Sequence, residues 1–183
     1  MKYKKLLEFI AEKVEIDTSD LSLVEKLFEP VTYSKNNLLE EENKIAKYLY
    51  FINSGFIRLF YYQDGIQITS HINCPSGFIT SFNSFITKTI SHQNLECITT
   101  CDLLRISKND LDLLFQHSPK WAEFGRVIYD ESLFYNEQRT KDIITLCAEE
   151  RYRKLLTNQP EIIQNVPLQY IASFIGIKPE SLS

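Results

Sequence analysis

The chain has 183 residues, a net charge of −4 and a composition that is 44% hydrophobic and 24% charged, with 5 Gly and 6 Pro. These values exclude a disordered or low-complexity chain, and the length allows one domain of ordinary size plus a small second one without disulfides or metals to hold the core. No run approaches the roughly 18–20 apolar residues of a membrane span, and the opening Met1-Lys2-Tyr3-Lys4-Lys5-Leu6-Leu7-Glu8 turns acidic too early for a secretory signal. A cytoplasmic chain without membrane contact is expected.

In chain order, Leu6, Leu7, Ile10, Ala11 and Val14 recur at helical spacing, and Ser19-Asp20 can cap a second short helix that carries Leu21, Val24, Leu27 and Phe28 to Pro30. From Val31 to Ile106 the texture becomes short β-rich runs: 31–33, 38–39, 48–53, 56–62, 66–73, 77–79, 95–99 and 103–106. Asn53-Ser54-Gly55 and Gln63-Asp64-Gly65 read as hairpin turns, the second through an Asp-Gly pair. Strands this short and closely spaced predict a sandwich or jelly-roll barrel. Ser107 to Asp110 caps a helix through Phe115, and Pro119 suits the first turn of a long helix running toward Ala148. On that helix Trp121, Phe124, Ile128, Glu131 and Tyr135 recur at spacings of three and four, a seam suited to a second subunit or to the helix's own domain. A second stripe, Val127, Leu133 and Phe134, is expected to make the own-domain contact.

After the breaker Asn158-Gln159-Pro160, Pro167 can start a short helix. Ala172 is small enough for a close helix crossing, and Gly176 is placed to end the helix in a sharp turn. Ile177 would plug the core, with Glu180, Ser181 and Ser183 projecting outward from a following helix. This is helix-turn-helix spacing. Residues 139–183 carry six basic and five acidic side chains, net +1, which leaves −5 for residues 1–138 and predicts a near-neutral reading module on an acidic partner domain.

The four cysteines (74, 97, 101, 147) lack CxxC spacing and neighbouring histidines, so reduced, mostly buried thiols are expected rather than a metal or iron–sulfur site. A cupin-like enzyme would need a histidine-rich metal set on the strands, and only His71, His92 and His117 occur. No P-loop, dinucleotide turn or nucleophile–His–Asp pattern suggests catalysis.

With strands over 31–106, a long helix, and the tail Ile171-Ala172-Ser173-Phe174-Ile175-Gly176-Ile177-Lys178-Pro179-Glu180-Ser181-Leu182-Ser183, the chain resembles the Crp/Fnr regulators over its whole length. The tail is similar to that family's Ile-Ala-x-x-Leu-Gly-x-(Ser/Thr)-x-Glu-(Ser/Thr)-(Leu/Val)-Ser-Arg. The resemblance implies an α+β protein: an N-terminal double-stranded β-helix (jelly-roll, cyclic-nucleotide-binding-like) barrel over 1–118, a long dimerisation helix over 119–138, and a C-terminal winged helix-turn-helix over 139–183. The last is incomplete, because the sequence stops at Ser183, one residue before the motif's arginine, and a longer natural chain is expected. A homodimer on a palindromic DNA operator is implied, with RNA polymerase as a further partner and no cofactor. Gln169, Lys178, Pro179, Glu180, Ser181 and Ser183 would face DNA, Glu180 accepting from a cytosine amino group.

The family's effector site takes an acidic side chain for the ribose, just after a glycine at the start of a short helix, and an arginine for the cyclic phosphate. Gly77-Phe78-Ile79 puts Phe78 at the acidic position, and Ser91-His92-Gln93 falls where the arginine triplet belongs. Burying a phosphate without that cation forfeits about 1.5–3 kcal/mol of charge-assisted hydrogen bonding plus desolvation. Cyclic AMP binding is therefore not expected, and the effector is an unidentified small molecule or none. Lys88 and His92 could meet a different anion or be plain surface groups. Phe78, Ile79, Phe82 and Phe85 could hold an apolar ligand or fill the site themselves. The competing reading is a ligand-binding or interaction module of the same fold that does not bind DNA.

Overall fold

The computed structural model describes residues 2–177. Two helices open the chain, α1 (Lys4–Ala11) and α2 (Thr18–Leu27). The cap of α2 is Asp17 rather than Ser19-Asp20: its carboxylate accepts from the Ser19 and Asp20 amides, and Asp20 returns a bond to the Asp17 amide. Eight strands follow: β1 (Glu29–Tyr33), β2 (Leu38–Glu40), β3 (Tyr48–Ser54), β4 (Ile57–Gln63), β5 (Ile66–Asn73), β6 (Phe78–Ile79), β7 (Asn94–Cys97) and β8 (Cys101–Ser107), with α3 (Phe82–Thr87) between β6 and β7. The remainder is helical: α4 (Lys108–His117), α5 (Pro119–Thr145), α6 (Ala148–Asn158), α7 (Pro160–Asn165) and α8 (Leu168–Phe174).

The strands form two open antiparallel sheets, ordered β1-β8-β3-β6 and β2-β7-β4-β5. The expected closed barrel is thus corrected to a two-sheet sandwich; among the described residues no ladder joins an edge of one sheet to an edge of the other. The cause lies in the lengths and connections. The edge strands β2 and β6 have three and two residues, too few to carry a closing ladder, and the turns 34–37 and 98–100 send successive strands into opposite sheets. Asp64 and Gly65 both take positive φ at the β4–β5 hairpin, as a type I′ turn requires. Gly55, at φ +94, lies so close to the β8 start that a Cβ would sit 2.5 Å from the Cys101 sulfur and the Thr100 carbonyl.

Period-two alternation divides the core. Tyr50 and Ile52 of β3, Ile57 and Leu59 of β4, and Leu103 of β8 point between the sheets. Phe51, Leu104 and Ile106 point the other way and pack under α1, α2, α4 and α5. On the far side, Phe56, Ile72 and Ile98 meet Leu155, Ile162, Val166, Ile171, Phe174 and Ile175, so α6 to α8 pack directly on the sandwich.

The rod α5 has 27 residues, about 40 Å at the usual helical rise, and runs past residue 138 to Thr145. Its first half sits on the sandwich and its second half is exposed.

Candidate functional site

Three groups of side chains bear on function: the segment Gly77–Gln93 around α3, the exposed flank of α5, and helix α8 with the turn that follows it.

The Gly77–Gln93 segment follows β5, begins at Gly77, whose carbonyl accepts from the Ile52 amide of β3, and enters β6. Phe78 lies in this strand and not at a helix start. Its ring packs on Phe51 at 5.1 Å, Phe9 at 5.8 Å and Phe124 at 6.4 Å. Ile79 is buried between the sheets, and Phe85 joins the core under the helices. Phe82 stands half exposed against Tyr129 of α5, with ring centroids 5.6 Å apart. Three of the four proposed lining side chains therefore pack into the protein's own core.

The short helix begins at Phe82 with Ser81 at its N-cap, so the helix-start position is Thr80–Ser81 and not Phe78. This corrects the sequence assignment. Waiting there is a group the sequence reading missed, Glu40 at the end of β2. Its carboxyl oxygens meet the Thr80 hydroxyl at 3.0 Å and the Ser81 amide at 2.8 Å. Alternation gave no signal: Leu38 and Glu40 would share a face, yet Leu38 is exposed and Glu40 buried across a register shift between them, inside a run Glu40-Glu41-Glu42 that reads as solvated charge. Burial pushes the Glu40 carboxyl above the ordinary range, opposed by the hydrogen bonds from Ser81 and Thr80.

Ser91 is buried, and its hydroxyl closes a local ring with the backbone of Gln93 at 2.9 and 3.0 Å. The Gln93 amide reaches the Ser70 hydroxyl at 3.3 Å. His92 and Lys88 are exposed, Lys88 in a left-handed conformation as the C-cap of α3.

On α5 the first half of the Trp121–Tyr135 seam faces the protein's own core, and Leu133 and Phe134 of the second stripe, expected to make the own-domain contact, are exposed. Trp121 and Phe124 are 0% and 4% exposed and belong to the protein's own core, with Ile128 packed beside them. Glu131 is exposed and pairs with Lys13 at 2.6 Å. Tyr135 leans toward His71 of β5, ring centroids 6.4 Å apart. The outward face carries Tyr129, Leu133, Phe134 and Ile144, with Leu133 61% and Ile144 76% exposed. The reason is Gly125: a Cβ there would come within 2.6 Å of the Phe115 ring, so its absence lets α4 lie against this side of α5 and turns Trp121 and Phe124 inward.

Helix α8 is positioned on the β2-β7-β4-β5 sheet by specific contacts. The Ser173 hydroxyl accepts from the Thr69 amide of edge strand β5 at 2.8 Å. Tyr170 lies over the Arg58 guanidinium at 3.6 Å, and Phe60 covers its other side at 4.1 Å. Arg58 is 2% exposed and held by Glu96 and Gln67, each at 2.6 Å. Arg139 of α5 donates to the Phe174 carbonyl at 2.7 Å, and Arg151 of α6 donates to that of Ile175 at 2.8 Å. Gly176, at φ +75, closes a Schellman turn: its amide reaches the Ser173 carbonyl and the Ile177 amide reaches Ala172. Gln169 is exposed. The other residues assigned to the DNA face, Lys178, Pro179, Glu180, Ser181 and Ser183, lie outside the described residues.

Neither a metal nor a membrane is suggested by this geometry. Among the described residues no group of three His, Cys, Asp or Glu side chains could hold an ion, and no helix is long and apolar enough to cross a membrane. Cys97 and Cys101 are buried, Cys74 is partly so, and Cys147 is exposed.

The two-sheet sandwich lies in the part of the chain, residues 30–118, that matches the cyclic nucleotide-binding domain family. Over nearly its whole length the chain has the fold of the Crp/Fnr-type regulators. It is similar to the c-di-GMP-responsive global regulator CLP of Xanthomonas campestris, at 19% identity over 90% of this chain and 87% of that one, with a TM-score of 0.68. It is also similar to FixK2 of Bradyrhizobium japonicum, at 15% identity over 85% and 81%, TM-score 0.71. A Eubacterium rectale protein assigned to the Crp/Fnr transcriptional regulators gives 16% identity over 91% and 80%, TM-score 0.68. The first is described as a global regulator and the third as a transcriptional regulator. No curated protein sequence matches the chain.

Proposed function

We propose that this protein is a homodimeric DNA-binding transcription regulator that reads a palindromic operator through its C-terminal helix-turn-helix, with a sensor that does not bind cyclic AMP. The observation that carries the reading is the Schellman turn at Gly176. It ends α8 just before Lys178-Pro179-Glu180-Ser181-Leu182-Ser183, whose sequence resembles a recognition helix. Pairing of two subunits is assigned to the outward face of α5 around Leu133 and Ile144, because these apolar side chains are 61% and 76% exposed on the face turned away from the sandwich. Against cyclic AMP stand Ser91, whose hydroxyl is spent on Gln93, and the Glu40 carboxyl, which already takes the donors at the head of α3.

The test is an anisotropy titration of the full-length protein against a randomised palindromic DNA pool at two salt concentrations, without cyclic nucleotide. Selection of a palindrome with salt-sensitive affinity supports the reading. Failure to bind at either salt, from a protein that sediments as a dimer, overturns it in favour of the module without DNA binding. RNA polymerase is a further partner under the same proposal, testable only after an operator is known.

A further inference from the structure

The hydrogen-bond inventory around Glu40 does not close if its side chain is a carboxylate. The Thr80 hydroxyl has one hydrogen and two acceptors in reach, Glu40 Oε1 at 3.0 Å and the Tyr48 carbonyl at 2.9 Å. With Glu40 ionised, that hydrogen serves one of them and the other contact sets two buried lone pairs against each other. With Glu40 protonated, every bond has a donor and an acceptor. Glu40 donates to Thr80 Oγ1, Thr80 donates to the Tyr48 carbonyl, and the Ser81 amide donates to Oε2 at 2.8 Å. The Ser81 hydroxyl, buried near the same carboxyl, has no geometric hydrogen-bond partner, and any bond from it to the carboxyl would act against the proton rather than for it.

We infer that Glu40 is a proton-binding site of the sensor: it holds a proton at neutral pH, and that proton fastens β2 to the turn at the head of α3. The surroundings fit a neutral acid. Glu40 is 7% exposed. From β3 the facing titratable group is Tyr50, whose hydroxyl turns to the Leu39 carbonyl at 3.5 Å. From the β6–α3 turn there are only the Thr80 and Ser81 hydroxyls and the Ser81 amide. Beyond Tyr50, Tyr33 of β1 and Arg105 of β8 bond each other, and Arg105 is committed to Glu29 at 2.7 Å. Among the described residues no cation reaches the carboxyl within salt-bridge distance. Burial acts in the same direction, favouring the protonated form. The inference is independent of the DNA-binding proposal, because it concerns the sandwich alone.

An acid whose affinity for its proton is higher in the folded chain contributes its full stability below the unfolded value of about 4.3. That contribution is lost as pH rises toward the folded value, at roughly tenfold in the folded-to-unfolded ratio per pH unit inside that window. Glu40→Gln supplies the same donor and acceptor without a titration. Unfolding of the wild type and Glu40→Gln is compared at about pH 5 and about pH 8, with glutamate δ-carbon NMR on the wild type. The expected result is a wild type that loses stability relative to Glu40→Gln by roughly a hundredfold or more over that interval, and one δ-carbon resonance in the protonated-acid range at neutral pH. A constant wild-type to Gln ratio, with all glutamate resonances in the ionised range at neutral pH, overturns the inference. If Glu40→Gln fails to fold, the wild-type resonance decides alone.

Discussion

The stack that holds α8 to the sandwich is the most exacting energetic claim made by the structure. Arg58 lies between Tyr170 at 3.6 Å and Phe60 at 4.1 Å, almost wholly desolvated and bonded to Glu96 and Gln67. A desolvated cation–π contact contributes about 2 kcal/mol. Tyr170→Leu keeps an apolar cover but removes the ring, and should cost about 1–2 kcal/mol. Arg58→Met removes the cation and leaves Glu96 without its partner, the kind of change that costs about 3–5 kcal/mol. The informative quantity is the coupling. If the ring acts on the guanidinium, the double variant should be less destabilised than the sum by about 1–2 kcal/mol, five- to thirtyfold in the folding ratio. Urea unfolding of the four proteins, with slopes held common, measures it. A coupling below about 0.3 kcal/mol would refute the reasoning and reduce Tyr170 to ordinary apolar cover.

Three further outcomes follow from particular positions. Leu133→Glu with Ile144→Glu should leave a folded chain that sediments as a monomer; a persistent dimer would move the subunit contact off this face of α5. Gly55→Ala combines a left-handed φ with a Cβ 2.5 Å from backbone and sulfur, so a loss of at least about 2 kcal/mol by thermal unfolding is expected, and a neutral effect would contradict the close approach of β4 to β8. Burial lowers the pKa of His71 below 6.5, helped by Arg139 and opposed by Asn136, so the folded chain binds its proton less well than the unfolded one. Stability from His71 is then complete above about pH 6.5 and lost as pH falls toward the lowered value. His71→Gln should flatten that part of the stability–pH curve, and an unchanged curve would show that His71 is not the group responsible.

Strand positions were legible because alternation at period two survives in β3, β4 and β5, whose observed ranges lie within a residue or so of those read from the sequence. Closure was not, because periodicity says which side chains share a face and nothing about which edge meets which. The three-residue β2 and two-residue β6 leave their sheets open. The same limit governed α5. Spacing of three and four identified two stripes, but their phase relative to the sandwich depends on a close approach elsewhere. Gly125 against the Phe115 ring sets that phase, and the one available sign was a glycine immediately after Phe124 in a helix otherwise free of it.

The candidate sensor site was harder still, for a physical reason that Glu40 makes plain. Sequence reading assigns charge to glutamate and therefore to solvent, whereas the hydrogen count around Thr80 requires an acid that is not charged. Protonation state is a property of the assembled neighbours and is not carried by the residue type. Phe78, assigned from the sequence to the helix start, lies in β6, and the helix starts four residues later, at Phe82, with Ser81 at its N-cap position and Glu40 holding the Ser81 amide. On the proposed reading, the absent arginine at Ser91 removes the cation that an anionic effector would need, and a variant meant to restore cyclic-nucleotide binding would have to supply one.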